Sequence, residues 1–384
     1  MPKTFNYSKQ QITEADINAV CDVLNSEFLT QGPAVQNFEL RVADAVDGRF
    51  CVAVSSATSA LHLACLALDL GPGDLAWVSA ISFASSANCV EMCGGNVEFL
   101  DIDHQSGNID VSQLENKLYE AKTAKRLPKI LIVVHLSGSP CDMQAISLLA
   151  DYFGIHVIED ASHALGAVYD DGSLVGSCRY SDVTVFSFHP VKMITTAEGG
   201  ACTTRNKSLE DKIRLLRSHG IRQKTQDSFP MQYDMEVLGF NYRLSDLQAA
   251  LGTSQLSRLS SFVRERNLHA MRYKKELGDL KFLSVLEGAT SSYHLTIALL
   301  DGKKFAARDE IFYRMRQQGI GVQLHYIPIY RLSFYVKKYG VDPDNFPGAE
   351  RFYKQALSLP NFVGLSDEQF SEVCDVLHSS RSKL

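Results

Sequence analysis

The fold is decided by the stretch Ile155-His156-Val157-Ile158-Glu159-Asp160, a mostly apolar run that ends in two acids. Similar runs occur at Lys129–His135 and Val183–Phe188, and helix-like patterns such as Met143–Phe153 lie between the runs. Strands that alternate with helices form a mostly parallel sheet with helices on both faces. We therefore predict an α/β fold for residues 1–205, with ligands bound at the carboxyl ends of the strands.

The remaining elements of this region follow the same alternation. Further strands are expected at Cys51–Ser55, Leu75–Ala80, Val97–Asp101 and Ala201–Thr204. Further helices are expected at Ile12–Ser26, Val35–Val46, Thr58–Leu70 and Ser112–Ala121. The first two of these helices precede the sheet.

The pattern changes after Arg243. Residues Leu244–Leu280 are compatible with a helix almost throughout, and we interpret them as the connector into a smaller C-terminal α+β domain. Strands are predicted there at Tyr293–Leu300 and Gly321–Leu324, and helices at Phe305–Gln317, Ala349–Ser358 and Asp367–His378. The expected division is a large domain over residues 1–250 and a small domain over residues 251–384.

Composition excludes several classes of function. The chain has 384 residues and a net charge of -6, so no basic face for nucleic acid is implied. No apolar run approaches the roughly 20 residues that a membrane-spanning helix needs. The segment Met1–Asn6 lacks the apolar core of a signal peptide. These features predict a cytoplasmic protein with no nucleic-acid or membrane partner.

The cysteines do not indicate a metal site. There are nine, and the only close pair is Cys89 and Cys93, with no second pair at metal-ligand spacing. We expect small buried thiols in a reducing compartment.

One lysine stands in the otherwise uncharged stretch Phe186–Thr196. This residue, Lys192, follows a predicted strand, and Ser187 precedes it by five positions. A lysine kept from water has a lowered pKa, so that its amine can act as a nucleophile and carry protons. A lysine in a loop more often extends its amine into solvent. In this context, however, we predict the attachment site of pyridoxal phosphate.

An acid and an imidazole follow the central predicted strand. Asp160 and His163 are three residues apart in a segment otherwise rich in alanine and glycine. The first could face the pyridine nitrogen of the cofactor and the second its ring hydroxyl. Taken alone, Asp160 could equally cap a turn, and His163 could be an ordinary buried histidine.

The small residues Ser55–Leu61 lie between a predicted strand and a predicted helix. Small side chains let a ligand approach the backbone, and the amino end of a helix offers free N–H groups to a phosphate. An ordinary serine or threonine helix cap explains the same residues. This run, the acid and the lysine, in this order along the chain, together favour a cofactor site.

Five stretches resemble the DegT/StrS family of pyridoxal-phosphate-dependent sugar aminotransferases over nearly the whole chain. They are Phe28–Pro33, Ser56–Leu61, Glu159–Gly166, Ser187–Lys192 and Gly239–Leu244. Within the family, the segments Arg217–Ile221 and Gly321–Pro328, together with His163, favour the branch that serves pseudaminic acid synthesis.

The resemblance implies an aspartate-aminotransferase-like fold and a homodimer with shared active sites. Lys192 would form the Schiff base, Asp160 would pair with the pyridinium nitrogen, and His163 would lie near the ring hydroxyl. The other implied contacts are Phe83 on the ring, Thr58, Ser59 and Ser187 on the phosphate, and Asn241 on the phosphate of the partner subunit.

The reaction implied is transfer of the amine of glutamate to C4 of a UDP-linked 4-keto-6-deoxy-N-acetylhexosamine. Another UDP- or dTDP-4-keto sugar is an alternative substrate. A dehydratase of the same fold would be expected to carry histidine in place of Lys192. A pyridoxal-phosphate-binding regulator without turnover fits the same motifs, whereas a Rossmann-type epimerase lacks its glycine fingerprint here.

Overall fold

A seven-stranded sheet forms the centre of the computed structural model, which describes residues 4–223, 233–300 and 305–382. Its strands are β1 (Phe50–Val54), β2 (Leu75–Ser79), β3 (Asn96–Leu100), β4 (Ile130–Val134), β5 (His156–Asp160), β6 (Val183–Ser187) and β7 (Gly200–Thr204). The order across the sheet is β1-β7-β6-β5-β4-β2-β3. Strands β2 to β6 run parallel, and β7 is antiparallel to both of its neighbours.

The sheet is buried on both faces. Along β4, Ile132 packs into one apolar cluster and Val133 into the other, and both are fully buried. A parallel sheet covered on both faces needs apolar residues at successive positions, which is why these strands are continuous apolar runs in the sequence. The predicted α/β fold is confirmed, and each predicted strand of this sheet is found within two residues of its expected ends.

Thirteen α-helices are found in the described residues. They are α1 (Glu14–Leu24), α2 (Pro33–Ala45), α3 (Ala57–Ala67), α4 (Ser85–Met92), α5 (Val111–Thr123), α6 (Met143–Phe153), α7 (Lys207–Arg217), α8 (Asp246–Leu256), α9 (Leu259–Glu276), α10 (Phe305–Gln317), α11 (Ser333–Tyr339), α12 (Pro347–Gln355) and α13 (Asp367–Arg381). Local sequence sets their ends: Asp142 caps α6 at Ala145 N, and Gly154 ends it in the left-handed conformation.

A small antiparallel sheet belongs to the C-terminal region. A hairpin of β8 (Ile221–Gln223) and β9 (Tyr233–Met235) precedes it, and its own strands are β10 (Lys281–Phe282), β11 (Thr296–Leu299) and β12 (Ala356–Leu359). The prediction of helix over Ala349–Ser358 was wrong at its end, because Ala356–Leu359 pairs with β11.

The predicted strand Gly321–Leu324 was also wrong. Gly321 N donates to Phe5 O at 2.7 Å, whereas Gln323 pairs with Ser358 in an isolated bridge. The segment therefore contacts different partners at successive positions and forms no continuous ladder.

The connector after Arg243 is two helices rather than one. The break falls at Ser257 and Arg258, and Gly252 lies inside α8. The carboxylate oxygens of Asp246 accept from the start of α2, at the capping residue Gly32 N (2.8 Å) and at Ala34 N in the first turn (2.9 Å), so α8 is fastened to α2. The division into residues 1–250 and 251–384 stays a prediction.

The cysteines and the helices bear on two further expectations. Cys21 is exposed, which corrects the expectation that the thiols are buried, while the other eight cysteines are buried. Among the residues that the structure describes, no helix combines the length and the apolar character needed to cross a bilayer.

Candidate active site

A cavity of about 600 Å³ opens at the carboxyl ends of β4, β5 and β6. Six residues predicted from the sequence line it, namely Thr58, Phe83, Asp160, His163, Ser187 and Lys192. Ser59 is the immediate neighbour of Thr58 on α3, whereas Asn241 lies outside the lining and is exposed. The loops that end three adjacent strands thus bring together residues that are far apart in sequence.

Lys192 lies in the loop after β6 and is half-buried. Burial lowers the pKa of its amine from 10.5 to about 8, and the nearby Asp160 opposes that shift in part. The ammonium form loses hydration in the cavity, so a larger fraction of the amine is neutral near pH 8 than in water. Lys192 is therefore suited to attack a carbonyl and to exchange protons.

Asp160 ends β5 and is held by two donors. Its Oδ2 accepts from Ser86 Oγ at 2.6 Å, and its Oδ1 accepts from Ser162 N at 3.1 Å. Ser86 Oγ in turn lies 2.6 Å from Ser82 Oγ. This series of hydrogen bonds fixes the carboxylate of Asp160 in a buried position. The sequence reasoning missed Ser86, and its place in a run of small residues is the only signal that could have identified it.

The amino end of α3 borders the cavity. Ser56 caps the helix, because its Oγ accepts from Ser59 N at 3.1 Å. The alternative interpretation of this run as an ordinary helix cap is therefore correct for Ser56. The cap takes the N–H of Ser59, whereas the N–H groups earlier in the first turn, such as that of Thr58, can bind an anion. A Cβ at Gly200 would lie 2.5 Å from Ala57 N, so the glycine lets β7 approach this helix end.

Aromatic and imidazole rings form the opposite side of the cavity. His163 Nε2 lies 3.0 Å from Tyr326 OH, and burial, followed by the charge of Lys192, lowers the pKa of His163 well below 6.5. Phe83 is 60% exposed and its ring centroid lies 6.1 Å from that of Tyr326. His294 and His325 also line the cavity. The sequence reasoning assigned no site role to Tyr326, His294 or His325.

Gly138 brings three segments together beneath His163. Its φ is +94°, and a Cβ there would lie 2.1 Å from Ser292 Oγ and 2.8 Å from the carbonyl oxygen of His163. The glycine permits both the positive φ and the close contact.

Gly138→Ala is expected to destabilise the protein by about 2–4 kcal/mol, from backbone strain and overpacking combined. Gly154→Ala is the matched control, because its φ is +69° and an added Cβ would meet nothing within 4 Å. Denaturant unfolding should show a loss of only about 1 kcal/mol for the control. Equal losses in the two variants would show that the close packing at Gly138 is unimportant.

Comparison with known proteins gives the family. The profile of the DegT/DnrJ/EryC1/StrS aminotransferase family matches residues 10–378. The UDP-4-amino-4,6-dideoxy-N-acetyl-beta-L-altrosamine transaminase of Campylobacter jejuni is 40% identical, over 98% of this chain and 98% of its own. The spore coat polysaccharide biosynthesis protein SpsC of Bacillus subtilis is 35% identical, over 97% of this chain and 95% of its own.

Solved structures agree with these relatives. Helicobacter pylori PseC, an aminotransferase involved in the biosynthesis of pseudoaminic acid, has a TM-score of 0.91 at 31% identity and covers 100% of both chains. The putative sugar aminotransferase Spr1654 of Streptococcus pneumoniae, in its PLP-form, has a TM-score of 0.89 at 29% identity over 99% of both chains. These likenesses confirm the fold that the sequence resemblance implied.

Proposed function

Because the chain belongs to the DegT/DnrJ/EryC1/StrS aminotransferase family, we propose that it transfers the amine of glutamate to C4 of a UDP-linked 4-keto-6-deoxy-N-acetylhexosamine in pseudaminic acid synthesis. The substrate is inferred from the names of the Campylobacter and Helicobacter relatives. The observation that carries the proposal is a lysine of lowered pKa that shares one cavity with a fixed carboxylate. The reducing cytoplasm expected from the sequence is part of the proposal.

The residues present fit pyridoxal phosphate. When bound, this cofactor supplies a carbonyl that takes up the amine and a ring that accepts electrons as the substrate carbon loses its proton. Lys192 Nζ would be the attachment point, and as a free amine it would be placed to take up and return the proton of the substrate carbon. The lowered pKa of Lys192 suits both tasks, since each needs a neutral amine.

Asp160 would hold the proton on the ring nitrogen. A carboxylate beside a pyridinium favours the protonated ring, and that ring accepts electrons better than the neutral one. The hydrogen bonds from Ser86 and from the N–H of Ser162 keep the carboxylate in place. No rearrangement of the protein is then needed when charge develops.

The phosphate would bind at the amino end of α3. Thr58 and Ser59 lie in its first turn, and Ser187 lies at the adjacent end of β6. Hydroxyl groups and free N–H groups at a helix terminus are typical ligands for phosphate. The exposed ring of Phe83 is available to stack on the cofactor, with His163 near the ring hydroxyl.

The cofactor-free protein should take up pyridoxal phosphate faster as pH rises. Attack on the carbonyl needs the neutral amine, and the pKa of Lys192 is about 8, so the rate should increase towards pH 8 and level off above it. Stopped-flow absorbance measures the rate at each pH. A rate that kept rising with unchanged slope beyond pH 10 would indicate a lysine of ordinary pKa.

A homodimer with shared sites is part of the proposal. Asn241 is exposed and lies outside the lining of the cavity of its own chain, in a loop that bridges to Ser218. This position is compatible with a role towards a second subunit. Glycine and aromatic residues surround it in Gly239–Leu244, one of the stretches that carry the family resemblance.

Asn241→Ala is expected to weaken binding of pyridoxal phosphate by about 1.5–3 kcal/mol, the contribution of one hydrogen bond to a charged group. Equilibrium titration of the cofactor-free protein measures the loss. In a mixed dimer of a Lys192→Ala chain and an Asn241→Ala chain, one site carries both defects and the other carries neither. Activity should therefore return on subunit exchange, at cofactor levels that leave the Asn241→Ala homodimer nearly empty. Exchange verified by mass without return of activity would mean that Asn241 does not serve the partner's site.

A panel of nucleotide sugars tests the substrate. The purified protein, loaded with pyridoxal phosphate, is incubated with glutamate and each of several UDP- and dTDP-linked 4-keto sugars. Mass spectrometry should find an amino sugar from the UDP-linked N-acetylhexosamine. Turnover of only dTDP sugars would move the enzyme to another branch of the family, and no turnover of any would favour the non-catalytic regulator.

A further inference from the structure

A segment of the C-terminal region presses directly on His163. Ser292 Oγ donates to the carbonyl oxygen of His163 at 2.7 Å, and Ser292 N donates to Gly138 O at 3.0 Å. Two residues further on, the ring of His294 lies against that of His163, with 4.6 Å between the centroids and 46° between the planes. The loop after β5 is thus held by residues more than a hundred positions away.

Both imidazole rings are buried, and each has an unpaired nitrogen. His163 is 5% exposed and His294 is 2% exposed, and within the described part of the chain neither Nδ1 has a hydrogen-bond partner. The only side-chain hydrogen bond found for His163 in the same residues joins Nε2 to Tyr326 OH. No hydrogen bond of the His294 side chain is found there, so its ring can act on His163 only through its surface.

The surroundings of His163 favour an uncharged ring. Lys192 faces it from the loop after β6, and His325 and Tyr326 face it from the C-terminal region. Asp160 shares the cavity as a carboxylate. Arg266 Nη1 donates to the carbonyl oxygen of His294 at 3.1 Å, which adds a buried cation behind that ring. Burial and the nearby cations therefore disfavour a positive charge on the His163 ring.

One hydrogen bond does not fix an imidazole against both rotation and water. The ring of Tyr326 lies beside His163, where its hydroxyl meets Nε2, with 6.0 Å between the centroids, and the ring of His294 packs against His163 with 4.6 Å between the centroids. Removal of the buried His294 ring would leave a void beside His163, and we expect water to enter it because both residues line the open cavity.

We propose that His294 is a positioning residue, whose ring packs against His163, fixes the plane of that imidazole and keeps water from the side on which it packs. This assignment rests on the proposed function for the identity of the cofactor. It does not make His294 a catalytic residue, since its contact is with His163. The backbone anchors at Ser292 and Arg266 are independent of the His294 ring, which makes ring substitutions compatible with folding.

Two substitutions of His294 distinguish the packing of its ring from the chemistry of its nitrogen atoms. His294→Ala removes the wall, and His294→Phe keeps an aromatic wall without nitrogen atoms. The titration of His163 is followed by NMR of histidine-labelled, cofactor-free protein, with His163→Gln used to assign its signal. In the wild type and in His294→Phe, His163 should stay uncharged well below pH 6.5. In His294→Ala, water should enter and raise the pKa of His163 by roughly one unit or more towards its ordinary value.

Affinity for pyridoxal phosphate gives a second readout. It should fall about tenfold or more in His294→Ala and stay within about threefold of wild type in His294→Phe. If His163 titrates alike in wild type and His294→Ala, or if His294→Phe is as defective as His294→Ala, the positioning role is wrong. The titration of His163 is measured without cofactor, so it tests the positioning role even if the wild type does not bind pyridoxal phosphate. Failure of the proposed function would show as no cofactor binding by the wild type, and this result differs from failure of the positioning role.

Discussion

Replacing Lys192 with alanine is expected to abolish amine transfer, with a rate at least about 10⁴-fold below that of the wild type. In the proposed function the same amine would attach the cofactor and carry the proton, so its removal would take away both the covalent link and the general acid–base. Steady-state assay of 2-oxoglutarate formation from glutamate measures the loss. The exposed Lys337 offers a matched control, because Lys337→Ala removes a lysine on α11 away from the cavity lining.

Borohydride gives the structural counterpart of that result. Reduction of the loaded wild type should fix the cofactor to the peptide that contains Lys192, and the same treatment of Lys192→Ala should leave the protein unlabelled. A labelled peptide that contains a different lysine would contradict the assignment, as would full activity of Lys192→Ala.

Asp160→Asn is expected to retain the cofactor and lose roughly 10²- to 10⁴-fold in rate. The amide keeps the shape of the carboxylate but cannot hold the proton of the ring nitrogen as an anion does, so the ring accepts electrons poorly. Single-turnover measurement with glutamate isolates this step from product release.

Ser86→Ala provides a graded comparison. The carboxylate of Asp160 remains, but the hydrogen bond from Ser86 Oγ at 2.6 Å is lost. One hydrogen bond to a charged group contributes about 1.5–3 kcal/mol, so the rate should fall roughly tenfold to a hundredfold. This loss is smaller than the largest loss expected for Asp160→Asn, which is about 10⁴-fold. Near-wild-type turnover of Asp160→Asn would falsify the pairing of Asp160 with the ring nitrogen.

The sequence predicted the sheet well because its strands are buried on both faces. Strands such as Ile130–Val134 are continuous apolar runs bounded by polar residues. Asp160 ends β5 and Ser187 ends β6, so both residues lie at the same edge of the sheet. The C-terminal region was predicted less well. Strand Ala356–Leu359 directly continues α12, so its apolar residues extend the helical pattern, and only pairing with β11 makes it a strand.

The side-chain contacts of the cavity could not be predicted from local pattern. The partners Ser86 and Asp160 are 74 positions apart, and His163 and Tyr326 are 163 apart. Such pairs depend on how the loops pack in three dimensions. Lys192 and Asp160 could be identified because residue type and strand context both limit the possibilities, whereas a serine or a tyrosine in a loop has many ordinary roles.

The most direct test of the proposed function follows one nitrogen atom from glutamate to the sugar. The loaded enzyme is given glutamate labelled with ¹⁵N and the UDP-linked 4-keto-6-deoxy-N-acetylhexosamine, and the product is analysed by mass spectrometry and NMR. The proposed amine transfer predicts that each product molecule carries one ¹⁵N, bonded to C4 of the sugar, with an equal amount of 2-oxoglutarate formed. A sugar product that has lost a hydroxyl group and gained no ¹⁵N, or a sugar recovered unchanged beside cofactor-loaded protein, would contradict it.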